Sequence, residues 1–435
     1  MARVLPFRAV RYDRPMGDDL TTLTAPPYDV ISPELRSDLL ERDPHNVVAL
    51  ELPEGPLDPT APGNRYEVGG RRWREWLDSG VLTMDAQPAV YVLEQRYRHG
   101  GAEVARRGFV VAVGLEPFSA REILPHERTL PKALHDRLSL TRATAANLSQ
   151  VFGMFADPQH VTDSLIERAR AMVPLEIATD EEGVVSTVWA LRDASDHAAL
   201  ADFLSHERIF IADGHHRYTT ALVYRDERRA AEGAPPADAA EPAYDSVMMA
   251  LVNMADPGLI VHPTHRLADA PEPLDPAAFR AALSERFELS GLPAGHPAGA
   301  LAASHGRPSF IVRTRDGVDT LARLREDVDV SGDFPPQTSA AWRALDVAVL
   351  QELVLSPLLD IHPDRPETLE RLSFSKDAHA ALETAPDHDA VFILNPTRMN
   401  QVAAVALAGE TMPQKSTYFY PKLLSGLLFK ALDRP

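Results

Sequence analysis

Cysteine is absent from the 435 residues, so this chain has no disulfide, thiol nucleophile or thiolate metal site. Basic residues are also in the minority: 44 Lys and Arg stand against 63 Asp and Glu, a formal net charge of −19. A surface of that sign repels a phosphate backbone, so no nucleic-acid partner is expected. Long apolar runs are missing as well. Nothing approaches the ~20 residues that a membrane span needs, and no membrane partner is expected. The opening MARVLPFRAVRYDRP lacks the apolar stretch of a secretory leader, which leaves cytoplasmic residence as the expectation. Four familiar ligand signatures are lacking too: the GxxxxGK[ST] phosphate loop, GxGxxG after a strand, HExxH and GxSxG. A nucleotide bound here is held by some other arrangement.

What is present is ordinary globular material, 45% hydrophobic and 25% charged. The length exceeds one typical domain, so two lobes are expected. Ser32 before Pro33 and Glu34 marks a helix start, with the helix ending near Asp43-Pro44. NVVALEL, 46–52, reads as a strand, and residues 65–79 read as a helix with Trp73, Trp76 and Leu77 on its apolar side. RRWREW within that helix is a solvated face. Two alternating strands around Gly100-Gly101 form a hairpin, since those glycines supply the positive φ of a tight turn. A helix over 132–146, the strand VFGMF, the strand VVSTVWAL and a helix before Ser205 follow. Further on, two strands end in a His-Pro-Thr-His-Arg loop, and 341–356 is a helix with Trp342, Leu345, Val349 and Leu353 on one side. AVFILNP is a strand, and the chain closes on an amphipathic helix. Residues 228–242 are the softest stretch, rich in Ala, Glu and Pro. Strands, helices and hairpins mix throughout, which makes the fold class α+β (mixed α/β).

The densest chemistry sits in RIFIADGHHRYTTALVYRDERR. A short apolar strand, Ile209 to Ile211, precedes a helix expected from about Tyr218, with Asp213, Gly214, His215, His216 and Arg217 in the turn between. That is where α/β proteins hold ligands. Gly214 permits a close backbone approach, Arg217 suits a bidentate contact to phosphate, and Asp213 suits Mg²⁺ or a substrate hydroxyl. The histidines can donate to phosphate; as neighbours at a helix start they point apart, which disfavours joint metal ligation.

Four other clusters qualify. His126, Glu127, Arg128 and Thr129, with Lys132, Asp136 and Arg137 behind them, mark the entry to a helix. His262, Pro263, Thr264, His265 and Arg266 form a basic, hydroxyl-bearing loop. Lys415, Ser416 and Thr417 precede the aromatics Tyr418, Phe419 and Tyr420, and Pro26-Pro27-Tyr28-Asp29 makes a rigid turn.

Taken together, PPYDVI, HERTLP…DRL, IADGHHRYTTAL, PTHRL and MPQKSTYFYPKLLSGL resemble the hallmark segments of a bacterial and archaeal family of unknown function, DUF1015. The resemblance spans roughly residues 3–430. The DGHHR turn is in addition similar to the phosphate box of the ParB/sulfiredoxin fold, whose members include free-serine kinases. That likeness implies a ParB/sulfiredoxin-like core with large insertions and a C-terminal α/β lobe. The lobes would be 1–270, carrying the site, and 271–435, returning to it. It also implies phosphate contacts from Gly214, His215 and Arg217, and an active-site acid at Asp213. A sulfiredoxin activity needs a cysteine and is excluded.

The function expected on these grounds is a nucleotide-dependent phosphotransferase acting on a small molecule, such as an amino-acid hydroxyl. Asp213, Glu127 and His216 would be catalytic, and Asp213 would also ligate Mg²⁺. ATP or ADP would be held by Gly214, His215, Arg217, His126, Arg128, Thr129, Lys132, Thr264, His265, Arg266, Lys415 and Ser416. The alternatives are a non-catalytic nucleotide-sensing protein, and a metal-dependent hydrolase built on Asp213, His215, His216 and His126.

Overall fold

The computed structural model describes residues 2–129, 131–233, 241–292, 297–302 and 306–434. The chain forms two compact units. The first comprises Met1–Pro125, Thr129–Ile260 and Pro421–Pro435, and the second His126–Arg128 and Val261–Tyr420.

The first unit is built on a nine-stranded mixed sheet. Its strands are β1 (Val4–Leu5), β2 (Val90–His99), β3 (Ala102–Gly114), β4 (Ile123–Leu124), β5 (Val151–Phe155), β6 (Glu176–Thr179), β7 (Val185–Leu191), β8 (Ile209–Asp213) and β9 (Ser246–Asn253). The order is β4-β8-β5-β9-β3-β2-β7-β6, with β1 paired to β3. β2 and β3 are the expected hairpin, with Gly100 and Gly101 both at positive φ. One face of the sheet buries Val92, Phe109, Val111, Val151, Ile209, Ile211, Val247 and Met249 in a single core. At about 25 cal/mol per Å² of apolar surface, that burial is the main term holding the sheet to its helices.

Helices of this unit are α1 (Pro33–Arg42), α2 (Val48–Glu51), α3 (Arg65–Asp78), α4 (Pro131–Thr144), α5 (Asp163–Arg170), α6 (Ala194–Ser205) and α7 (His215–Glu232). Ser32 caps α1 by accepting from the Leu35 N–H at 3.2 Å, and Asn64 caps α3 through Tyr66 and Glu67. Trp73 and Trp76 of α3 are buried, as its apolar spacing requires. α7 begins three residues earlier than expected, so His215, His216 and Arg217 form its first turn. It continues through residue 232; residues 234–240 of the stretch read as soft lie outside the described residues. Tyr218 anchors α7: its hydroxyl donates to the Glu116 carbonyl at 2.9 Å and its ring stacks on Phe118.

The second unit carries a six-stranded sheet in the order Phe287–Gly291, Asp319–Leu324, Ser309–Thr314, Ala390–Leu394, His265–Ala268, Leu372–Ser375. Every pairing in it is antiparallel. Leu267, Ile311, Leu321, Val391 and Ile393 fill its core. Alternating strands and helices in both units make the protein mixed α/β, as the sequence predicts. Among the described residues, no helix is long and apolar enough to cross a membrane.

Four local expectations are overturned. NVVALEL is not a strand: Val48–Glu51 is one buried helical turn. His265 and Arg266 lie in a strand rather than a loop. The helix expected over 341–356 is broken into Ala340–Arg343 and Asp346–Leu350, then one π turn over Gln351–Leu355 and a last helical turn, Ser356–Leu359. The closing segment is extended instead of helical. Ser425 bridges Ala25, Phe429 bridges Val10, and Lys430–Ala431 pairs with Ala146–Asn147.

Candidate functional site

β8 ends in a register shift between Ile211 and Asp213, so Asp213 faces Phe152 of β5 across an irregular pair. Such bulges re-aim a side chain at a strand end. Gly214 follows at φ 87°, in the left-handed region, and serves as the N-cap of α7 without a capping side chain. A Cβ there would stand 2.9 Å from Arg217 Nε. The first-turn N–H groups of an 18-residue helix therefore begin beside a residue that takes up almost no space.

Two cations attend Asp213. Lys422 Nζ donates to Oδ2 at 2.6 Å, and Arg217 Nη2 lies 3.7 Å from Oδ1. Burial alone would raise the carboxyl pKa, yet Lys422, Arg217 and His215 hold it well below the usual carboxylate range. Arg217 Nη1 also donates to the Gln150 carbonyl. His215 is buried, whereas His216 is part-exposed on the same turn.

Beside this corner opens a cleft with a cavity volume of about 40 Å³, lined by residues from α2, α4, α7, β9 and the segment 146–149. Arg217 and Thr220 come from α7, Arg137 and Thr141 from α4, Glu51 from α2, and Ser149 from the connecting segment. Thr220 is 3% exposed and its Oγ1 has no hydrogen-bond partner. An orphaned buried hydroxyl costs roughly 1–3 kcal/mol, a penalty that a polar ligand removes. Arg137 is buried and committed. Its Nη1 donates to Glu51 Oε2 at 3.0 Å, its Nη2 to Asp136 Oδ2 at 2.6 Å, and its Cζ lies 4.1 Å from the centre of the Tyr28 ring. Burial raises the Tyr28 phenol pKa, opposed by Arg137 and Arg217. Glu51 Oε1 accepts from Ser425 Oγ at 3.3 Å.

Four of the quoted segments therefore meet in the first unit: PPYDVI through Tyr28, DRL through Asp136 and Arg137, DGHHR, and PKLLSGL through Lys422 and Ser425. Lys132 is exposed near the start of α4, and Thr129 is part-exposed just ahead of it. Glu51, Thr220 and Lys422 were not singled out from sequence. Lys422 had a usable signal, as the basic residue that follows the aromatic run YFY.

The remaining candidates lie in the second unit. His126 is fully buried, with Nε2 3.0 Å from Thr417 Oγ1 and its carbonyl accepting from Met412 N–H. Arg128 Nε donates to Thr411 Oγ1 at 3.3 Å, and Glu127 is part-exposed between the two. Arg266 is occupied by backbone, donating to the carbonyls of Thr264, Gln414 and Lys415. Burial lowers its pKa to about 9, and burial with Arg266 nearby lowers that of His265 to about 4. His265 Nδ1 accepts from the Leu394 N–H and so fastens a strand, while Arg266 fastens the turn at 414–415. The Ser416 hydroxyl closes its own turn onto the Pro413 carbonyl, and Lys415 is exposed. Thr264 Oγ1 is buried without a partner. Among the described residues, no group of three or more His, Asp or Glu is placed to hold a metal ion.

A family model described as "Protein of unknown function (DUF1015)" matches residues 4–348. No curated protein matches the chain. Among solved structures, a conserved hypothetical protein from Pyrococcus furiosus is similar at 13% identity and a TM-score of 0.32, over 70% of this chain and 89% of its own. A free serine kinase in complex with AMP stands at 13% and 0.34, over 69% and 84%. SbnI with C-terminal truncation from Staphylococcus aureus stands at 13% and 0.34, over 73% and 86%. Overlays this loose do not bear on what this chain binds.

Proposed function

We propose that this chain, which belongs to the DUF1015 family of proteins of unknown function, is a nucleotide-dependent phosphotransferase that acts on the hydroxyl of a small molecule. The phosphates of ATP or ADP would lie at the N-terminal end of α7, against Gly214 and Arg217. The observation that carries this is the Thr220 hydroxyl, buried and without a partner in a cleft that Arg217 and Arg137 also line. A helix start, a guanidinium and an orphaned hydroxyl are together a set of donors that suits phosphate oxygens.

Asp213 would hold Mg²⁺, which would supply neutralisation of the phosphate charge. Asp213 fits that need, because its neighbours keep it ionised. The same depression makes Asp213 a poor proton store, so its role is to hold the cation or orient the acceptor hydroxyl. In the transfer, the acceptor oxygen forms a new bond to phosphorus as the bond to the bridging oxygen breaks. The nucleotide leaves with that electron pair. The hydroxyl proton passes to His216, the part-exposed base on the same turn.

Calorimetric titration with ADP and ATP, with and without Mg²⁺, tests the proposal. Arg217→Ala is expected to weaken binding about tenfold or more, as loss of a charge-assisted contact does. A wild-type chain that binds neither nucleotide overturns it. A non-catalytic nucleotide sensor is the second reading, favoured by the commitment of Asp213 to Lys422. Phosphate transfer assayed over a panel of small alcohols separates the two. A metal-dependent hydrolase lacks the ligand cluster it needs among the described residues.

A further inference from the structure

Lys422 reaches Asp213 from a segment far away in sequence, and the way that segment is held is costly. Arg106 of β3 is 2% exposed, lies 4.6 Å over the Phe152 ring, and makes no ion pair within reach among the described residues. Burial lowers its pKa to about 10. Its Nη2 donates to the Pro421 carbonyl at 2.6 Å and to Gln95 Oε1. Gln95, directly opposite on β2, donates from Nε2 to the Lys422 carbonyl at 3.0 Å. Two adjacent strands thus spend a buried guanidinium and a buried amide to fix two consecutive carbonyls. Arg106 Nη1 is left without a partner. A sheet core gains stability from an apolar pair at such a position more readily than from a desolvated cation. What the arrangement secures is placement: the Lys422 ammonium, part-exposed, stands at the corner where β8 becomes α7. Thr220 Oγ1, buried without a partner, lies farther along α7 in the adjoining cleft, which Arg217 also lines.

We infer that Lys422 is a phosphate ligand of this site, and that Arg106 and Gln95 are the residues that position it. The inference rests on the nucleotide reading above and deepens it. Without ligand, the ammonium is parked on Asp213. With ligand, it would swing onto a phosphoryl oxygen, and the Asp213 carboxylate would then be able to hold a divalent cation. Lysine suits this exchange because its ammonium is a compact charge on a flexible stem.

The test is calorimetry of Mg-ADP and of metal-free inorganic pyrophosphate on four single variants and two doubles. Lys422→Met is expected to weaken both ligands about tenfold or more, while Lys422→Arg stays within about threefold of wild type. Arg106→Met is expected to weaken them in the same direction. Combined with Lys422→Met it should add nothing, the non-additivity of residues acting through one another. Asp213→Asn removes the carboxylate that competes with phosphate for the ammonium, so metal-free pyrophosphate should bind several-fold tighter, and Lys422→Met in that background should abolish the gain. Unchanged binding by Lys422→Met overturns the inference and leaves the nucleotide reading standing. If Lys422→Met does not fold, Asp213→Asn decides: pyrophosphate binding no tighter than wild type overturns it equally. A wild-type chain that binds neither ligand fails at the earlier step, and the inference falls with the proposed function.

Discussion

Gly214 sets the geometry of the corner residue by residue. Its φ of 87° and the 2.9 Å that would separate a Cβ from Arg217 Nε make alanine doubly unwelcome. Gly214→Ala is expected to cost about 1–2 kcal/mol of stability and to displace the guanidinium. A lower urea midpoint together with weaker ADP binding would show both effects. A second residue-scale prediction concerns Glu176, fully buried, with Oε1 2.7 Å from Arg11 Nη1 and Oε2 without a partner. Burial, only partly offset by Arg11, raises its pKa from 4.5 to about 7, with Asp85 and Asp18 adding repulsion. The folded state therefore holds a proton that the unfolded state releases. The associated stability is present below pH ~4.5 and is lost as pH rises through ~7. Glu176→Gln should flatten the dependence of the urea midpoint between pH 5 and 8; an unaltered slope would contradict this. Asp213 has the opposite sign, since its folded pKa is depressed. Its contribution is present above the unfolded value near 3.8 and fades as pH falls.

At the scale of elements, the turn Val48–Glu51 is the instructive case. NVVALEL is apolar and β-branched, which favours a strand locally. Asn46 decides otherwise. Its Oδ1 accepts from the Val48 N–H at 2.9 Å, and its Nδ2 donates to the carbonyls of Thr22 and Thr24, each at 2.8 Å. This anchoring is tertiary, so no window of sequence reveals it, and it delivers Glu51 to the cleft. Asn46→Ala removes all three bonds, two of them buried, and is expected to cost about 2–4 kcal/mol, read as a fall in the thermal midpoint. The closing segment tells the same story. LLSGLLFKAL has helical spacing, but Val10, Ala25 and Asn147 offer it partners, and cross-strand bridges win. The helices with a local cap in sequence, at Ser32 and Asn64, were legible; the elements set by distant partners were not.

Over the whole molecule, the same division separates the parts of the site. Asp213, Gly214, His215, His216 and Arg217 are consecutive, so their chemistry is visible at once in the sequence. Tyr28, Glu51, Arg137 and Lys422 are scattered over nearly 400 residues, and only folding assembles them. The sequence reading cuts the lobes near 270 and has the second return to the site; Pro421–Pro435 falls in the first unit. That return is structural as well as chemical. Phe429 packs against Trp73 and Tyr12, Leu424 accepts from Gln150 Nε2, and Lys430 pairs with Asn147. Deleting 421–435 should therefore abolish the cooperative transition of the first unit in scanning calorimetry, well beyond the loss from Lys422→Met alone. A truncated chain that melts as the full one does would refute this.

The excursion of the chain through Val261–Tyr420 before it comes back also fixes an order of events during synthesis. The ribosome delivers the glycine corner first and its ammonium partner more than two hundred residues later. A nascent polypeptide stalled in between carries the turn without the lysine, and its Asp213 carboxylate has only Arg217 and His215 for positive company. Translation thus acts as a clock, and competence arrives only when the tail has been threaded home.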